Sequence, residues 1–333
     1  MDFTLVLLAS VMAALIPTIF YVALAWWLDR YEKEPLWLLT ITFLWGAIPA
    51  IVLSLVAEIV LDIPVQAFVL GQGGTLISTA VIAPVVEEIA KGIVVWLIFL
   101  LYRKEFDGLM DGLIYAALVG FGFAMTENVF YFMSAFEEGG WEAWSALVFV
   151  RAIVFGLNHA LFTSAFGAGL GYSRYAKNPL ARRLAPIVGL IFAILLHAIH
   201  NFFVSLPEMQ VLCLISLVTD YLGIVAWLGL MWFATHQEKQ WIMEELTDEV
   251  ANGLLPEHHA QASASYRARL RDRWAEYQEH GFGRAHRLSR LHQLATELAF
   301  KKRQLRLHGE EQGNSTEIAN LRGQIGELME KLA

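Results

Sequence analysis

The sequence predicts an all-α fold, a polytopic transmembrane helical bundle with a helical cytoplasmic tail, and three observations carry that prediction. Of 333 residues, 57% are hydrophobic and 17% charged, with a mean hydropathy of +0.50, outside the usual range of soluble globular chains. Seven stretches approach or exceed the ~20 residues that cross a hydrocarbon core: roughly 3–28, 36–61, 77–102, 110–134, 144–172, 185–206 and 211–235. Basic residues between these stretches fall only in alternate connections: Arg30 and Lys33; Arg103 and Lys104; Arg174, Lys177, Arg182 and Arg183.

Taken in order, the first run, Phe3 to Leu28, lacks a basic leader and a small-residue cleavage site and is longer than a signal-peptide core, so it reads as a retained span. The connections 62–76, 135–143 and 207–210 contain no Lys or Arg. By the positive-inside rule the N-terminus lies outside and the tail in the cytoplasm of a cell (plasma or inner) membrane. An eighth, re-entrant segment near 62–76 is the alternative count. Trp26, Trp27, Trp37, Trp96, Trp141, Trp144 and Trp232 sit near span ends, as an interfacial belt requires. The single cysteine, Cys213, excludes an intrachain disulfide and a cysteine metal cluster.

Two domains follow: 1–235, the membrane part, and 236–333, a highly charged, near-neutral tail. Helix-length tail segments are broken by NGLLPEHH, by Gly281 and by HGEEQGNS. Ile318, Leu321, Ile325, Leu328 and Leu332 repeat at three-four spacing, as do Leu291, Leu294 and Leu298, which suits a helical hairpin or a coiled coil able to join two copies as a homo-oligomer. The basic clusters there are interleaved with acids on helices, so no nucleic acid is expected as a partner.

Four of the apolar spans carry polar groups that a passive anchor does not need. An ionisable residue at the centre of a membrane helix costs at least ~2.5–3.5 kcal/mol, which makes each a functional-site hypothesis. The third span holds Glu87, Glu88 and Lys91 as EExxK; Lys91 is expected to pair with one carboxylate and leave its neighbour unpaired and desolvated, as a general base requires. The fourth holds Glu127, Asn128 and Tyr131, where Glu127 can serve a metal, a water or a histidine, or simply bond Tyr131 or Arg151. The fifth holds His159 in FxxxH. In the sixth, His197 and Asn201 lie four apart on one face, with His200 ranked below His197.

Two imidazoles and a carboxylate, with a further carboxylate free, are the parts of metal-assisted hydrolysis. In that scheme His159, His197 and Glu127 are the candidate ligands of a Zn2+ ion. The same parts fit a metal-free scheme, in which a glutamate activates water and His and Asn bind the oxyanion. The sequence has no HExxH and no GxSxG, and Asp220 is the only acid deep in the seventh span, which disfavours other intramembrane protease chemistries.

EExxK, FxxxH and HxxxN in successive spans resemble the PrsW family of intramembrane proteases, within a wider group that includes the type II CAAX prenyl endopeptidases. DRYEKEPLWLL at Asp29–Leu39, FDGLMDGLIYAALVGFGFAMTENVFY at Phe106–Tyr131 and NHALFTSAFGAGLGY at Asn158–Tyr172 add to the likeness, which covers about residues 20–205. The resemblance implies that Glu87 and Glu88 carry the catalytic carboxylate, His159 and His197 the zinc-ligand or oxyanion role, and Glu127 and Asn201 the supporting shell. It implies hydrolysis of peptide bonds in membrane-anchored proteins such as regulators of signalling, with the lipid bilayer as surroundings. The rival readings are a proton-coupled transporter or channel, and a non-catalytic protein that binds a membrane peptide.

Overall fold

The computed structural model describes residues 3–69, 71–206, 210–310 and 313–332, with side chains except at 210–213. Cys213's side chain and the connection 207–209 therefore lie outside the described residues. The described elements are helical throughout, and the chain divides into two compact units.

The first unit comprises Met1–Leu28, Glu34–Tyr102 and Gly108–Met231. It begins with α1 (Phe3–Leu28), followed by α2 (Leu36–Trp45), which passes through a π-helical turn at Gly46–Ala50 into α3 (Ile51–Phe68). Pro49 lies in that turn and has no N–H to give to an α-helical ladder, a local reason for the wider winding. After the short α4 (Gln72–Ile77), a second π turn at Ser78–Ile82 leads into α5 (Ala83–Leu101). Then follow α6 (Leu109–Val148), a third π turn at Phe149–Val154, α7 (Asn158–Tyr175), α8 (Pro179–Val204) and α9 (Gln210–Glu245).

Helix α6 is the centre of this unit. Every residue from Leu109 to Ala124 is buried, as expected of a helix apolar all round. Its start is fixed by Asp111, whose carboxylate accepts the Gly108 N–H at 2.7 Å. Gly112 of α6 and Gly167 of α7 bring the two backbones together, and a Cβ on either would strike the carbonyl of the other. The small residues that the sequence supplies here serve close helix approach. Glu34, ahead of α2, accepts a hydrogen bond from the Tyr115 hydroxyl of α6.

Among the described residues, five helical runs are long and apolar enough to cross a membrane: Phe3–Leu28, Leu36–Phe68, Leu109–Tyr175, Pro179–Val204 and Leu214–Ala251. Two features reconcile these five with the seven expected spans. Leu109–Tyr175 is broken at Gly139 and Gly140, where Gly140 adopts φ +65°, so it holds two rods. Ala83–Leu101 carries three charges within one turn, more than an ordinary span tolerates. The expected connection 62–76 is mostly helix, since α3 continues through Pro64 to Phe68 and α4 begins at Gln72. Likewise 135–143 is helical except at its two glycines.

The second unit comprises Asp29–Lys33, Arg103–Asp107 and Trp232–Ala333. Its helices are the end of α9, then α10 (Thr247–Ala251), α11 (Glu257–Ser263), α12 (Tyr266–His280), α13 (Phe282–His308) and α14 (Asn314–Leu332). Leu291, Leu294 and Leu298 of α13 and Ile318, Leu321 and Ile325 of α14 are buried where the two helices pack, while Leu328 and Leu332 at the end of the expected stripe are only half-buried. The two inter-span connections are tied to this unit. Tyr31 donates to the Ala264 carbonyl at 3.0 Å, Lys301 to the Lys104 carbonyl at 2.7 Å, and Gln304 to Asp107 at 2.8 Å.

Candidate active site

Glu87, Glu88 and Lys91 share one turn of α5 and are 6%, 1% and 0% exposed. Trp45 of α2 holds this turn by donating its indole N–H to the Ala90 carbonyl at 2.9 Å. The Lys91 ammonium donates to Glu87 at 3.0 Å, to Glu88 at 2.8 Å and to His159 Nδ1 at 3.1 Å, with the Phe123 ring 4.0 Å away. The expectation that one carboxylate stays unpaired is therefore corrected. An ammonium has three donors, and burial leaves no water to occupy them, so one lysine serves both glutamates and an imidazole.

The two glutamates nevertheless differ. Glu88 is fully engaged: besides Lys91 it accepts from Thr163 at 2.9 Å and lies 3.0 Å from His197 Nδ1. A carboxylate only accepts, so His197 carries its proton on Nδ1 and its Nε2 is an acceptor. That Nε2 stands 3.9 Å from Glu87. Glu87, unlike Glu88, lines a cavity of about 680 Å³. Phe162 stacks on the His197 ring at 4.9 Å and fixes its plane.

His159 opens α7, whose approach to α6 depends on Gly120, where a Cβ would meet the His159 carbonyl. Its Nδ1 accepts from Lys91, so Nε2 bears the proton and donates to Glu127 at 3.0 Å. Glu127 also takes a 2.6 Å bond from Arg151, which in turn donates to Asn128 at 2.8 Å and covers the Tyr131 ring at 3.8 Å. The ion pair with Arg151 thus coexists with the histidine contact.

One donor atom each from Glu87, His159 and His197 lies within 4.8 Å of the others. Two imidazoles and a carboxylate form a zinc-type donor set. Glu88 on the far nitrogen of His197 is the outer carboxylate that metal-ligating histidines usually have. The residues therefore fit a metal ion, with Glu87 in the grouping where Glu127 was expected. Both nitrogens of His159 are already engaged, so ligation would exchange one of them from Lys91 or Glu127.

The cavity brings together Glu87, Glu127, His159, His197 and Asn201, five of the six residues expected at the site; Glu88 stands behind it. Asn201 spends its amide on the Thr79 carbonyl at 3.0 Å, tying α8 to the π turn ahead of α5. Glu58 and Asp62 of α3 also line the cavity, and neither is among the residues expected there. Their signal was available, since an acid at position 58 inside the run 36–61 is the same anomaly as Glu87.

The sequence model of the family described as PrsW family intramembrane metalloprotease matches residues 34–231, the stretch that builds this cavity. The chain belongs to the PrsW family. Protease PrsW of Geobacillus kaustophilus (strain HTA426) is 28% identical over 216 residues, covering 64% of this chain and 83% of that relative. Protease PrsW of Clostridioides difficile (strain 630) is 27% identical over 174 residues, 52% and 70% of the two chains. Protease PrsW of Bacillus subtilis (strain 168) is 25% identical over 200 residues, 59% and 83%. No solved structure matches the chain. As a PrsW family member it is an integral membrane protein and an intramembrane peptidase. The PrsW match ends at residue 231, so most of the second unit lies beyond it.

Proposed function

We propose that this protease hydrolyses a peptide bond of membrane-anchored regulatory proteins in the cavity between α3, α5, α6, α7 and α8. Glu87 is its reactive carboxylate. The observation that carries this reading is the unequal access of the paired glutamates: Glu87 meets the cavity, and Glu88 is sealed behind it. Glu87 holds the attacking water and takes its proton. Glu88 is a positioning residue, which fixes the His197 ring through Nδ1 and turns Nε2 toward Glu87. Glu127 does the same for His159, held in turn by Arg151. With zinc bound, Glu87 would instead join His159 and His197 as a ligand, and the ion would supply Lewis-acid polarisation of the scissile carbonyl and a more acidic water. The substrate segment enters unwound, because a helix keeps its carbonyls in backbone hydrogen bonds.

We further assign 1–235 as the protease domain and 236–333 as a cytoplasmic tail, with the N-terminus outside. The connections bearing Arg30, Lys33, Arg103 and Lys104 share one compact unit with the tail, which supports their lying on one side of the membrane. The positive-inside rule makes that side cytoplasmic.

The test is cleavage of a panel of single-span proteins by the purified protein in lipid vesicles, with metal analysis of the same preparation. Wild type cleaves, Glu87→Gln does not, and bound zinc falls in Glu87→Gln and His197→Ala. Equal products from wild type and Glu87→Gln refute the assignment of Glu87.

A further inference from the structure

A second polar cluster, absent from the roles above, borders the same cavity. Asp220 of α9 is 4% exposed inside an apolar helix. One of its oxygens accepts from His200 Nδ1 at 2.7 Å, from Asn158 Nδ2 at 2.9 Å and from Ser216 at 3.2 Å. Because the carboxylate only accepts, the orientations of both partners are fixed. His200 must carry its proton on Nδ1, which makes Nε2 an acceptor. Asn158 must turn its amide nitrogen to Asp220, which leaves Oδ1 facing away.

One of these two remaining acceptors is buried and idle. Asn158 is 2% exposed, and its Oδ1 is a buried oxygen with no partner among the described residues. The His200 ring is 12% exposed and flanked by Phe155 at 5.1 Å and Phe162 at 5.7 Å; both it and Asn158 line the cavity. A buried acceptor left unpaired is costly, and Asn158 Oδ1, on a residue that shares the cavity wall with the His200 ring, calls for a ligand that brings donors. An unwound peptide brings N–H groups in the required form, because its backbone donors are no longer spent on a helix.

We propose that His200 and Asn158 form a docking subsite for the substrate backbone, taking N–H groups of an extended segment next to the scissile bond, with Asp220 and Ser216 as positioning residues. The subsite rests on the protease reading and deepens it. It also ties the two imidazole-bearing helices to one anchor: Asn158 precedes His159 in α7, and His200 is one turn from His197 in α8.

The experiment pairs His200 variants with single-span substrates in which one amide N–H at a time, flanking the cleavage site, is replaced by an ester oxygen. Wild type loses about tenfold in kcat/KM at one such position, the worth of one buried hydrogen bond. His200→Asn keeps a donor for Asp220 and loses the cavity-facing acceptor; it cleaves the all-amide substrate about tenfold more slowly and shows no further loss on the ester. His200→Gln, whose terminal amide reaches the Nε2 position, retains most of the activity. The proposal is overturned if no ester position penalises wild type, or if wild type and His200→Asn suffer the same ester penalty. A merely structural role would give that second result. If Glu87→Gln is inactive while the ester penalty is unchanged by His200→Asn, the docking subsite fails and the protease reading stands.

Discussion

Replacing Lys91 with methionine tests the buried charge cluster most directly. The ammonium is 0% exposed and serves three acceptors at 2.8–3.1 Å. Without it, Glu87 and Glu88, whose side chains are 7% and 0% exposed, have no cation beside them, so each either carries an uncompensated charge or is forced to take up a proton. Breaking a buried ion pair by deleting one partner costs ~3–5 kcal/mol, because an uncompensated charge is left behind. At ~2–4 °C per kcal/mol for a unit of this size, the melting temperature falls by roughly 6–20 °C. Adding Glu88→Gln to Lys91→Met removes one orphaned charge and recovers part of that loss. Thermal unfolding of wild type and the two variants in one detergent measures both steps. A single variant that melts within about 2 °C of wild type, or a double variant no better than the single, refutes the idea that the lysine compensates both carboxylates.

Gly167→Ala drives a methyl into the Gly112 carbonyl of α6 and should destabilise by ~1–3 kcal/mol, whereas Gly229→Ala, with open space around its Cβ, leaves the melting temperature unchanged or raised. In the tail, burial lowers His259 to about 4, with His258 adding to the effect, and burial and then His259 lower His292 to about 3. The folded tail keeps both imidazoles neutral where the unfolded chain takes up protons. Stability present above pH ~6.5 is therefore lost as the pH falls toward 4. Hydrogen-exchange protection of α11 and α13 in the full chain should drop between pH 7 and pH 5, and His292→Gln should flatten that drop. Equal pH dependence in the variant refutes the account.

The membrane bundle and the meeting of four spans at one cavity were legible because charge in an apolar run is expensive enough to stand out residue by residue. Lys91 shows the limit of that reading. Spacing put it within reach of both glutamates, and only the absence of water around its ammonium decides that it serves both and His159 as well. Glu127 stays beside His159 at 3.0 Å and also takes Arg151, a partner the sequence offered, while it is Glu87 that groups with both imidazoles, a meeting of three helices that no local spacing encodes. Asp220 was visible as an acid in the seventh span. Its partners Asn158 and His200 belong to two other helices, 62 and 20 residues away, so its purpose was not. The helical course of 62–68 was hidden for a different reason: Asp62 and Pro64 look like punctuation, and α3 carries on through both.

The backbone-on-backbone seam between α6 and α7 also bears on traffic. Gly112 and Gly120 rest against carbonyls of α7, and Gly122 against that of Phe43 in α2, so α6 cannot turn or slide without collision. On the protease reading, α6 is the fixed wall of the cavity, and an opening for a peptide is expected among the other lining helices, such as α3 and α8, which contribute Ser54 and Val204.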